Sequence, residues 1–290
     1  MTNFSSSHNK EHPSTYFVQD RSNKEELQRL QIQDHMLTAA MGGVLPEQAD
    51  PHRFKRVLDV ACGPGGWLIE LAQAFPDGEV LIGIDISKRM IEYARQQAYD
   101  AKQDYIEFQV MDALRMLEFP NEFFQLVNLR CASSFVRTWD WPKLLEEMRR
   151  VCRPHGVIRL TEPAILTHSS SPALLRLNAL LQHTFAHAGY YFEDAPTGVT
   201  AHLSRLLKQY GGRHIQVQER SYSLLFQAGT PQGQAFIDDL IHAFRVLQPF
   251  LAKWGELPSN YDTLYQQALE EMQQPAFSAT AELLTAWVSQ

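Results

Sequence analysis

The stretch that decides the fold of this 290-residue chain is RVLDVACGPGGW, residues 56–67. Val57, Leu58 and Val60 predict a short buried strand, and a helix pattern follows the glycines. Glycines suit a turn here because some turn positions require a positive φ and because a bare backbone lets a ligand approach the N–H groups at a helix start. The stretch therefore predicts a strand, a ligand-binding turn and a helix.

The second landmark is LIGID, residues 81–85, a buried strand pattern whose final Asp85 lies 19 residues after Gly66. A strand, a glycine turn, a helix and an acid-ended strand form the nucleoside-binding half of a doubly wound α/β fold, in which the acid binds ribose hydroxyls. A nicotinamide enzyme would carry G-x-G-x-x-G, but Ala61 replaces the first glycine and Asp59 stands inside the strand. A nicotinamide-dependent oxidoreductase is therefore disfavoured, although it stays an alternative.

Three further strand patterns alternate with helix patterns, which predicts a parallel sheet covered on both faces. These patterns occupy residues 105–110, 123–130 and 157–161. The first runs into MDA, residues 111–113, and the turn RPHG, residues 153–156, precedes the last. Asp85 and Asp112 thus follow two consecutive strands, an arrangement that is hard to explain by structural roles alone. It indicates a ligand at that edge of the sheet.

These residues resemble the class I S-adenosylmethionine-dependent methyltransferases, in their small-molecule branch. The shared features are D-x-x-C-G-P-G over residues 59–65, an acid ending strand 2, D-A after strand 3 and an R-P-G-G-type turn before strand 5. The resemblance covers residues 57–165 strongly and the two ends more loosely. Two positions depart from it: Ala61, where the family usually has glycine, and His155, in place of the first glycine of the late turn.

The resemblance implies an α/β fold, a Rossmann-like doubly wound seven-stranded sheet with an antiparallel last strand, helices on both faces and helical cap insertions. The predicted regions are a tail and lid helix at 1–50, a cofactor-binding core at 51–165, a helical substrate cap at 166–212, and strands 6 and 7 with a helical insert at 213–290. Residues 1–14 are polar and predicted to be disordered, and Ser22 begins a capping-box pattern. Strand 6 is predicted within 213–226. Residues 282–288 suit a helix by composition, but the family topology requires a strand there.

The cofactor that the resemblance implies is S-adenosyl-L-methionine. The N–H groups of the turn would face its methionine part, and Asp59 would lie near the ammonium group or hold the turn. Asp85 would bind the ribose hydroxyls, Asp112 the adenine amino group, and Arg130 would border the sulfonium. The predicted cofactor-binding residues are Asp59, Ala61, Cys62, Gly63, Pro64, Gly65, Asp85, Ile86, Met90, Met111, Asp112, Ala113, Leu129 and Arg130.

Polar residues interrupt the apolar stripe of the helix predicted over residues 22–41. Gln33 and Asp34 lie on or beside that stripe, where a polar pair is costly unless it has partners. They are predicted to belong to a lid over the site, with an ordinary hydrogen bond at the core edge as the alternative. The predicted substrate or lid residues are Tyr16, Gln33, Asp34, His183 and Tyr190, and the catalytic candidates are Arg130, Glu162 and His168.

His183 and His187 stand four residues apart in a predicted helix, a spacing that lets two imidazoles share a metal ion. The pattern lacks the glutamate of an H-E-x-x-H motif, and no third ligand can be assigned. No metal site is predicted, and the two histidines are interpreted as polar side chains near the substrate entrance.

The composition limits the cellular compartments and the kinds of partner that the sequence predicts. A formal net charge of −7 argues against nucleic acid, which usually requires a basic face. The odd number of cysteines, three, favours a reducing compartment, and the first residues lack the apolar region of a signal peptide. No run approaches the roughly 18 apolar residues of a membrane span. We expect a soluble cytoplasmic protein with a small-molecule partner. Apolar faces over 231–290 either form a homodimer or cover the sheet.

The sequence thus predicts a methyltransferase that moves a methyl group to an oxygen, nitrogen or carbon of a small molecule. In-line displacement at an activated carbon requires little side-chain chemistry, so positioning is expected to dominate. Two alternatives stay open: an NAD(P)-dependent oxidoreductase, and a methyltransferase-fold protein that binds the cofactor without transferring methyl. The second survives because the motifs bind a cofactor and do not by themselves prove transfer.

Overall fold

The computed structural model describes residues 15–18, 24–166, 168–212, 216–255 and 257–289. The predicted disordered segment 1–14 and the capping box that begins at Ser22 lie outside these ranges. The first described helix begins at Lys24 and ends at Met41, which agrees with the end predicted from the sequence.

One mixed sheet forms the centre of the molecule. Its strands are β1 Arg56–Val60, β2 Val80–Asp85, β3 Glu107–Val110, β4 Phe124–Arg130, β5 Cys152–Pro163, β6 His168–Ser169, β7 Val217–Gln227 and β8 Ser278–Ser289. The order is β3-β2-β1-β4-β5-β8, with β7 and the short β6 also paired to β8. The reversal of strand order beside β1 creates the crevice in which such sheets bind ligands.

The direction of the strands confirms the predicted fold class. β1 to β5 run parallel to one another, whereas β8 is antiparallel to both β5 and β7. The seven predicted strands are all present, and residues 282–288 are strand. The eighth, β6, has two residues and pairs with Ala279 and Thr280, just beyond the part of β8 that pairs with β5.

Helices cover both faces of this sheet. They are α1 Lys24–Met41, α2 Gly66–Ala74, α3 Lys88–Asp100, α4 Trp141–Val151, α5 Pro172–His187, α6 Leu203–Tyr210, α7 Pro231–Trp254 and α8 Tyr261–Met272. The side chains of Ser87, Ser171 and Thr230 accept hydrogen bonds from the first turns of α3, α5 and α7. These caps begin each helix where the sequence places a hydroxyl residue.

Alternating residues of the central strands point to opposite faces of the sheet. One face buries Val57, Leu81, Leu126 and Val157 with Leu68 of α2 and Ile91 of α3. The other buries Leu58, Ile82, Val127 and Ile158 with Leu144 of α4. Strands that are apolar on both faces need helices packed on both faces. This is why the sequence gives three layers, with the sheet between two layers of helices.

The remaining helices differ in what they cover. α6, within the predicted cap segment 166–212, packs against α4, β7 and β8, and so belongs to the layer on the sheet. α5 packs against α7 and α8, and α1 packs along α7. Among the described residues of 231–289, no large apolar side chain is exposed, so this segment covers the fold. Covering was one of the two roles predicted for its apolar faces, and the other, a homodimer, stays a prediction.

No described helix has both the length and the apolarity needed to cross a membrane.

Candidate functional site

The turn between β1 and α2 has the backbone that its glycines predict. Gly63 and Gly65 have φ angles of 53° and 80°, and Ala61 has 54°. A Cβ on Gly65 would lie 2.7 Å from the ring of Phe108, whereas one on Gly63 would meet no atom within 4 Å. Gly65 is therefore required by packing, and Gly63 leaves an open face toward the crevice.

Asp85 joins this turn to the end of β2. Its Oδ2 accepts a hydrogen bond from the Gly63 N–H at 3.1 Å, and its Oδ1 accepts one from the Ser87 N–H at 2.8 Å. The carboxylate is thereby fixed at the carboxyl end of the strand, next to the glycine turn. The sequence predicted this proximity from the order of the elements.

Asp112 takes the corresponding place after β3. Its Oδ1 accepts from the Leu114 N–H at 3.0 Å, and its Oδ2 accepts from Nε of Arg115 at 3.2 Å. The backbone N–H of Met111 donates to the Asp85 carbonyl at 3.0 Å, which ties the two strand ends together. Two carboxylates thus stand side by side at one edge of the sheet.

A cavity of about 180 Å³ opens at this edge, and we call it the strand-end cavity. Nine of the fourteen predicted cofactor residues line it: Ala61, Gly63, Asp85, Ile86, Met90, Met111, Asp112, Ala113 and Arg130. The other five are Asp59, Cys62, Pro64, Gly65 and Leu129. Of these, Leu129 is a fully buried core residue, and Pro64 and Gly65 shape the turn. Helix α1 and residues 15–18 close the opposite wall.

Three of the predicted substrate or lid residues lie on that opposite wall or next to it. Tyr16 and Gln33 line the cavity, and Asp34 pairs with Arg130 at 2.5 Å. Arg130 also donates to the Thr38 hydroxyl at 2.9 Å. Burial raises the pKa of Asp34, and the Arg130 charge opposes that rise. A Cβ on Gly66 would collide with the Asp34 carboxylate, so the bare start of α2 makes room for this pair.

A buried ionic cluster that was missed by the sequence analysis anchors α1. Arg29 Nε donates to Glu26 at 2.8 Å, and its Nη1 donates to Asp239 of α7 at 3.1 Å, while the Tyr16 hydroxyl donates to Glu26. Glu26 and Arg29 are 1% and 4% exposed. Only the spacing of Glu26 and Arg29, three residues apart, was visible in the sequence, and such pairs are usually on the surface.

Asp59 lies behind the cavity, in a second polar network. The Asn128 Nδ2 donates to Asp59 at 2.8 Å, and Arg159 joins Asn128 at 2.9 Å to Glu47 at 2.8 Å. Burial raises the pKa of Asp59 to about 7, against the Asn128 hydrogen bond and the charge of Arg130. A carboxyl with this pKa is half-ionised near neutrality, so a cation placed beside it would favour the ionised form.

A second cavity, of about 200 Å³, adjoins the first, and we call it the apolar cavity. The two share Phe17, Cys131 and Ser134 as lining residues. The rest of its wall comes from α1, α5, α7, β7 and β8, together with Ser133, residues 163–166 at and after the end of β5, and Tyr191. These elements are far apart in sequence, so no motif could have indicated this cavity.

Glu162, a predicted catalytic candidate, lies beneath the boundary between the cavities. It is fully buried and accepts hydrogen bonds from the backbone N–H groups of Ala132 and of Ser133, the latter at 3.1 Å. Burial raises its pKa to about 7, opposed by the Ser133 hydroxyl and these N–H groups. A buried carboxyl with a pKa near neutrality suits proton transfer.

The structure does not bring the other candidates to the cavities. His168 is exposed on β6, and His183 is exposed on α5, where it pairs with Asp194 at 2.9 Å. Tyr190 is buried, donates to the Thr15 carbonyl and lies under the Arg137 guanidinium. His183 lines neither cavity, and its position near a substrate entrance stays a prediction. Tyr190 supports the cavity wall from behind.

His187 contacts the Trp254 carbonyl through Nδ1 at 2.8 Å, and its ring centroid is 6.3 Å from that of His183. In the part of the chain that the structure describes, no three His, Cys, Asp or Glu side chains are grouped to hold a metal ion.

Comparisons with known proteins agree with this geometry. Residues 57–156 match the family model described as a methyltransferase domain. A demethylmenaquinone methyltransferase of Deinococcus radiodurans is 42% identical over 115 residues, which are 40% of this chain and 46% of the relative. Its namesake in Symbiobacterium thermophilum is 40% identical over 102 residues, 34% of this chain and 39% of the relative. The chain therefore spans less than half the length of these relatives.

The fold extends beyond the matched segment. A crystal structure from Bacillus halodurans superposes with a TM-score of 0.51 and 16% identity, and the match covers 81% of this chain and 91% of that chain. At this identity the likeness establishes a shared fold.

Proposed function

We propose that this protein transfers the methyl group of S-adenosyl-L-methionine to a small-molecule acceptor, because residues 57–156 match the methyltransferase-domain model and the sheet around them has the topology predicted for a class I methyltransferase. The observation that carries the proposal is the strand-end cavity, in which the glycine turn and the carboxylates of Asp85 and Asp112 face one space beside an apolar cavity. We assign the nucleoside to the first space and the acceptor to the second.

The residues of the strand-end cavity fit the cofactor. A carboxylate oxygen accepts more than one hydrogen bond, so ribose hydroxyls can join the backbone donors on Asp85. Ile86 and Met90 supply apolar surface for the adenine, and the open face of Gly63 admits the methionine part. Asp59, behind the turn, would ionise beside the ammonium group. When bound, the cofactor supplies a methyl group on a positively charged sulfur.

The guanidinium charge of Arg130 would repel the positively charged sulfur of the cofactor if Arg130 were unpaired. Its pairing with Asp34 at 2.5 Å neutralises it, and it links α1 to the carboxyl end of β4. We assign Arg130 the role of holding α1 over the cavity. Closure of this kind aligns the reacting atoms, which is worth about 7–11 kcal/mol of the barrier in well-oriented reactions.

Glu162 is the proposed proton acceptor for substrates that lose a proton on methylation. It touches Ser133, which lines the apolar cavity, so the proton would pass through that hydroxyl. A nicotinamide-dependent reaction gains no support from the site, because the turn lacks the first glycine of the dinucleotide motif and Ala61 lines the cavity there.

The test of the proposal is isothermal titration of the protein with S-adenosylmethionine, S-adenosylhomocysteine and NADH. We expect both adenosyl ligands to bind and NADH to fail. Asp85→Ala should weaken adenosyl binding by at least about 100-fold, because it removes two charge-assisted hydrogen bonds. The exposed Asp104→Ala is the matched control and should bind like the wild type. Preference for NADH, or equal loss in both variants, would contradict the proposal.

Two further sequence predictions concern the whole protein. We propose a cytoplasmic location, supported by three cysteines that all stand as free thiols. A homodimer stays a prediction, which light scattering of the purified protein would decide.

A further inference from the structure

The wall of the apolar cavity is mostly hydrocarbon. Leu181 and Phe185 of α5 face Phe236 and Leu240 of α7 across it. Burying an apolar ligand here would be favourable by about 25 cal/mol per Å² of apolar surface removed from water. The cavity is therefore suited to an acceptor that is mainly hydrocarbon.

The charged side chains of the wall limit the class of ligand further. Among the described residues that line the cavity, Asp239 is the only charged side chain, and Arg29 already binds it at 3.1 Å. A phosphate or carboxylate would find no cationic partner, and an ammonium group would have to compete with Arg29. Because burial of an unpaired charge is strongly unfavourable, the wall selects a neutral molecule.

Two serine hydroxyls lie at one end of the apolar cavity, and the other polar side chains of its described wall are Asn178, Tyr191 and Asp239. Ser133 and Ser134 lie where the apolar cavity meets the strand-end cavity, and Ser134 donates to the Cys131 carbonyl at 2.7 Å. Elsewhere in the wall, the Asn178 side chain donates to the Leu174 carbonyl of its own helix at 3.0 Å. The two cavities meet beside Ser133 and Ser134, and we call this part of the apolar cavity the serine end. The group that accepts the methyl must lie at the serine end, because there it can reach the strand-end cavity.

Glu162 is the proposed proton acceptor at the end of the apolar cavity that Ser133 lines. Its buried carboxylate accepts a hydrogen bond from the Ser133 N–H at 3.1 Å, which places it beside the Ser133 side chain, and burial raises its pKa to about 7. An acceptor hydroxyl would donate its proton to the Ser133 oxygen while Ser133 passes its own proton to Glu162. The acceptor oxygen then forms its bond to the methyl carbon as the carbon–sulfur bond breaks, and the sulfur keeps that electron pair.

We propose that the apolar cavity binds the methyl acceptor as a neutral, mainly hydrocarbon molecule with one ionisable hydroxyl, a phenol or an enol, directed at Ser133. This inference rests on the proposed function for the identity of the donor. It goes beyond it in naming the class of acceptor, which is read from the wall and not from the relatives.

Four small molecules of similar size, which differ in their hydroxyl group and charge, test the inference. Each is titrated into protein saturated with S-adenosylhomocysteine. The probes are para-butylphenol, butylbenzene without the hydroxyl, tyramine as a cation and para-hydroxyphenylacetate as an anion. We expect titration calorimetry to show para-butylphenol binding at least about tenfold more tightly than each of the others, because only it satisfies both the wall and the serine end. Equal binding of either charged probe, or no binding of para-butylphenol, would overturn the inference.

Two substitutions locate the site. Ala281→Phe adds a ring inside the apolar cavity and should abolish para-butylphenol binding while S-adenosylhomocysteine still binds. Leu225→Phe, on the exposed side of the neighbouring strand, is the matched control and should change neither. Ser133→Ala should remove most of the preference for para-butylphenol over butylbenzene. Retention of para-butylphenol binding in Ala281→Phe would place that ligand elsewhere and contradict the inference.

The outcomes separate the two proposals. If S-adenosylhomocysteine binds but the probes do not discriminate, the acceptor class is wrong and the methyltransferase function stands. If S-adenosylhomocysteine does not bind, the function fails, and the same titration without it still shows whether the apolar cavity selects a neutral phenol.

Discussion

Two residues that depart from the family pattern share one backbone property. Ala61 and His155 stand where the resembled family has glycine, and their φ angles are 54° and 63°. A left-handed conformation costs a residue with a Cβ roughly 1–2 kcal/mol. The sequence identified both departures, and the structure shows the strain that each one introduces.

Ala61→Gly should therefore stabilise the protein. We expect a gain of about 0.5–1 kcal/mol in the free energy of unfolding, since relief of the left-handed strain exceeds the added entropy of glycine in the unfolded chain. Because Ala61 lines the strand-end cavity, removing its methyl group should also tighten S-adenosylhomocysteine binding. Urea denaturation and titration calorimetry measure the two effects.

His155→Gly is the matched control for this prediction. His155 is exposed and does not line the strand-end cavity, so the variant should gain stability without a change in ligand binding. If neither variant gains stability, the positive φ at these positions carries no strain.

Two buried carboxyls should contribute to the dependence of stability on pH. Burial raises the pKa of Asp59 from 3.8, and that of Glu162 from 4.5, to about 7. Between these values the folded state binds more protons than the unfolded state, so their contribution to stability is greatest below about pH 4 and falls as pH rises toward 7. Urea midpoints measured from about pH 5 to about pH 8 should decline accordingly.

The neutral variants test the cause of this decline. Asp59→Asn and Glu162→Gln cannot titrate, so each should flatten the decline, whereas the exposed Asp104→Asn should leave it unchanged. A decline of wild-type steepness in both buried-site variants would show that other groups are responsible.

At the level of elements, α1 is joined to α7 by two ion pairs of different burial. Arg29 and Asp239 are 5% and 8% exposed at their side chains, whereas Arg245 and Glu25 are 52% and 40% exposed. Removal of one partner from a buried pair leaves an uncompensated charge, while an exposed pair is worth little. The two pairs therefore provide a direct comparison within one helix interface.

Arg29→Met should destabilise the protein by about 3–5 kcal/mol because it leaves Glu26 and Asp239 buried without their cation. Arg245→Met, the exposed counterpart, should change the free energy of unfolding by less than about 1 kcal/mol. Urea denaturation measures both. Similar losses in the two variants would mean that the buried cluster does not hold α1 in place.

At the scale of the whole molecule, the C-terminal strand completes the sheet of the cofactor-binding segment. β8 pairs with β5 on one side and β7 on the other, and Leu283, Ala286 and Val288 are fully buried. Residues 51–165 alone would leave the full edge of β5 unpaired and its apolar faces exposed.

We therefore expect residues 51–165, expressed alone, to aggregate or remain unfolded, as measured by circular dichroism and size-exclusion chromatography. The full chain under the same conditions is the control. A monomeric fragment that binds S-adenosylhomocysteine would show that the segment folds without β8.

Local patterns in the sequence predicted the helices and strands and their order. The β1 turn, the acids at the ends of β2 and β3 and the fold class were predicted because each depends on residues that are close along the chain. Hydrophobic periodicity and glycine turns act within a few residues. The strand at 282–288 was the exception, since its composition suits a helix, and there the topology of the resembled family supplied the answer.

The tertiary structure alone decided how distant residues meet. Arg29 contacts Asp239 across 210 positions, and most of the wall of the apolar cavity comes from α1, α5, α7, β7 and β8. Neither leaves a local pattern, because such contacts depend on how helices pack on the sheet. For the same reason His168 and His183, plausible by residue type, lie outside the cavities. Glu162 lies beneath the boundary between the two cavities. Its burial and its position, and not its residue type, make this carboxyl suited to accept a proton.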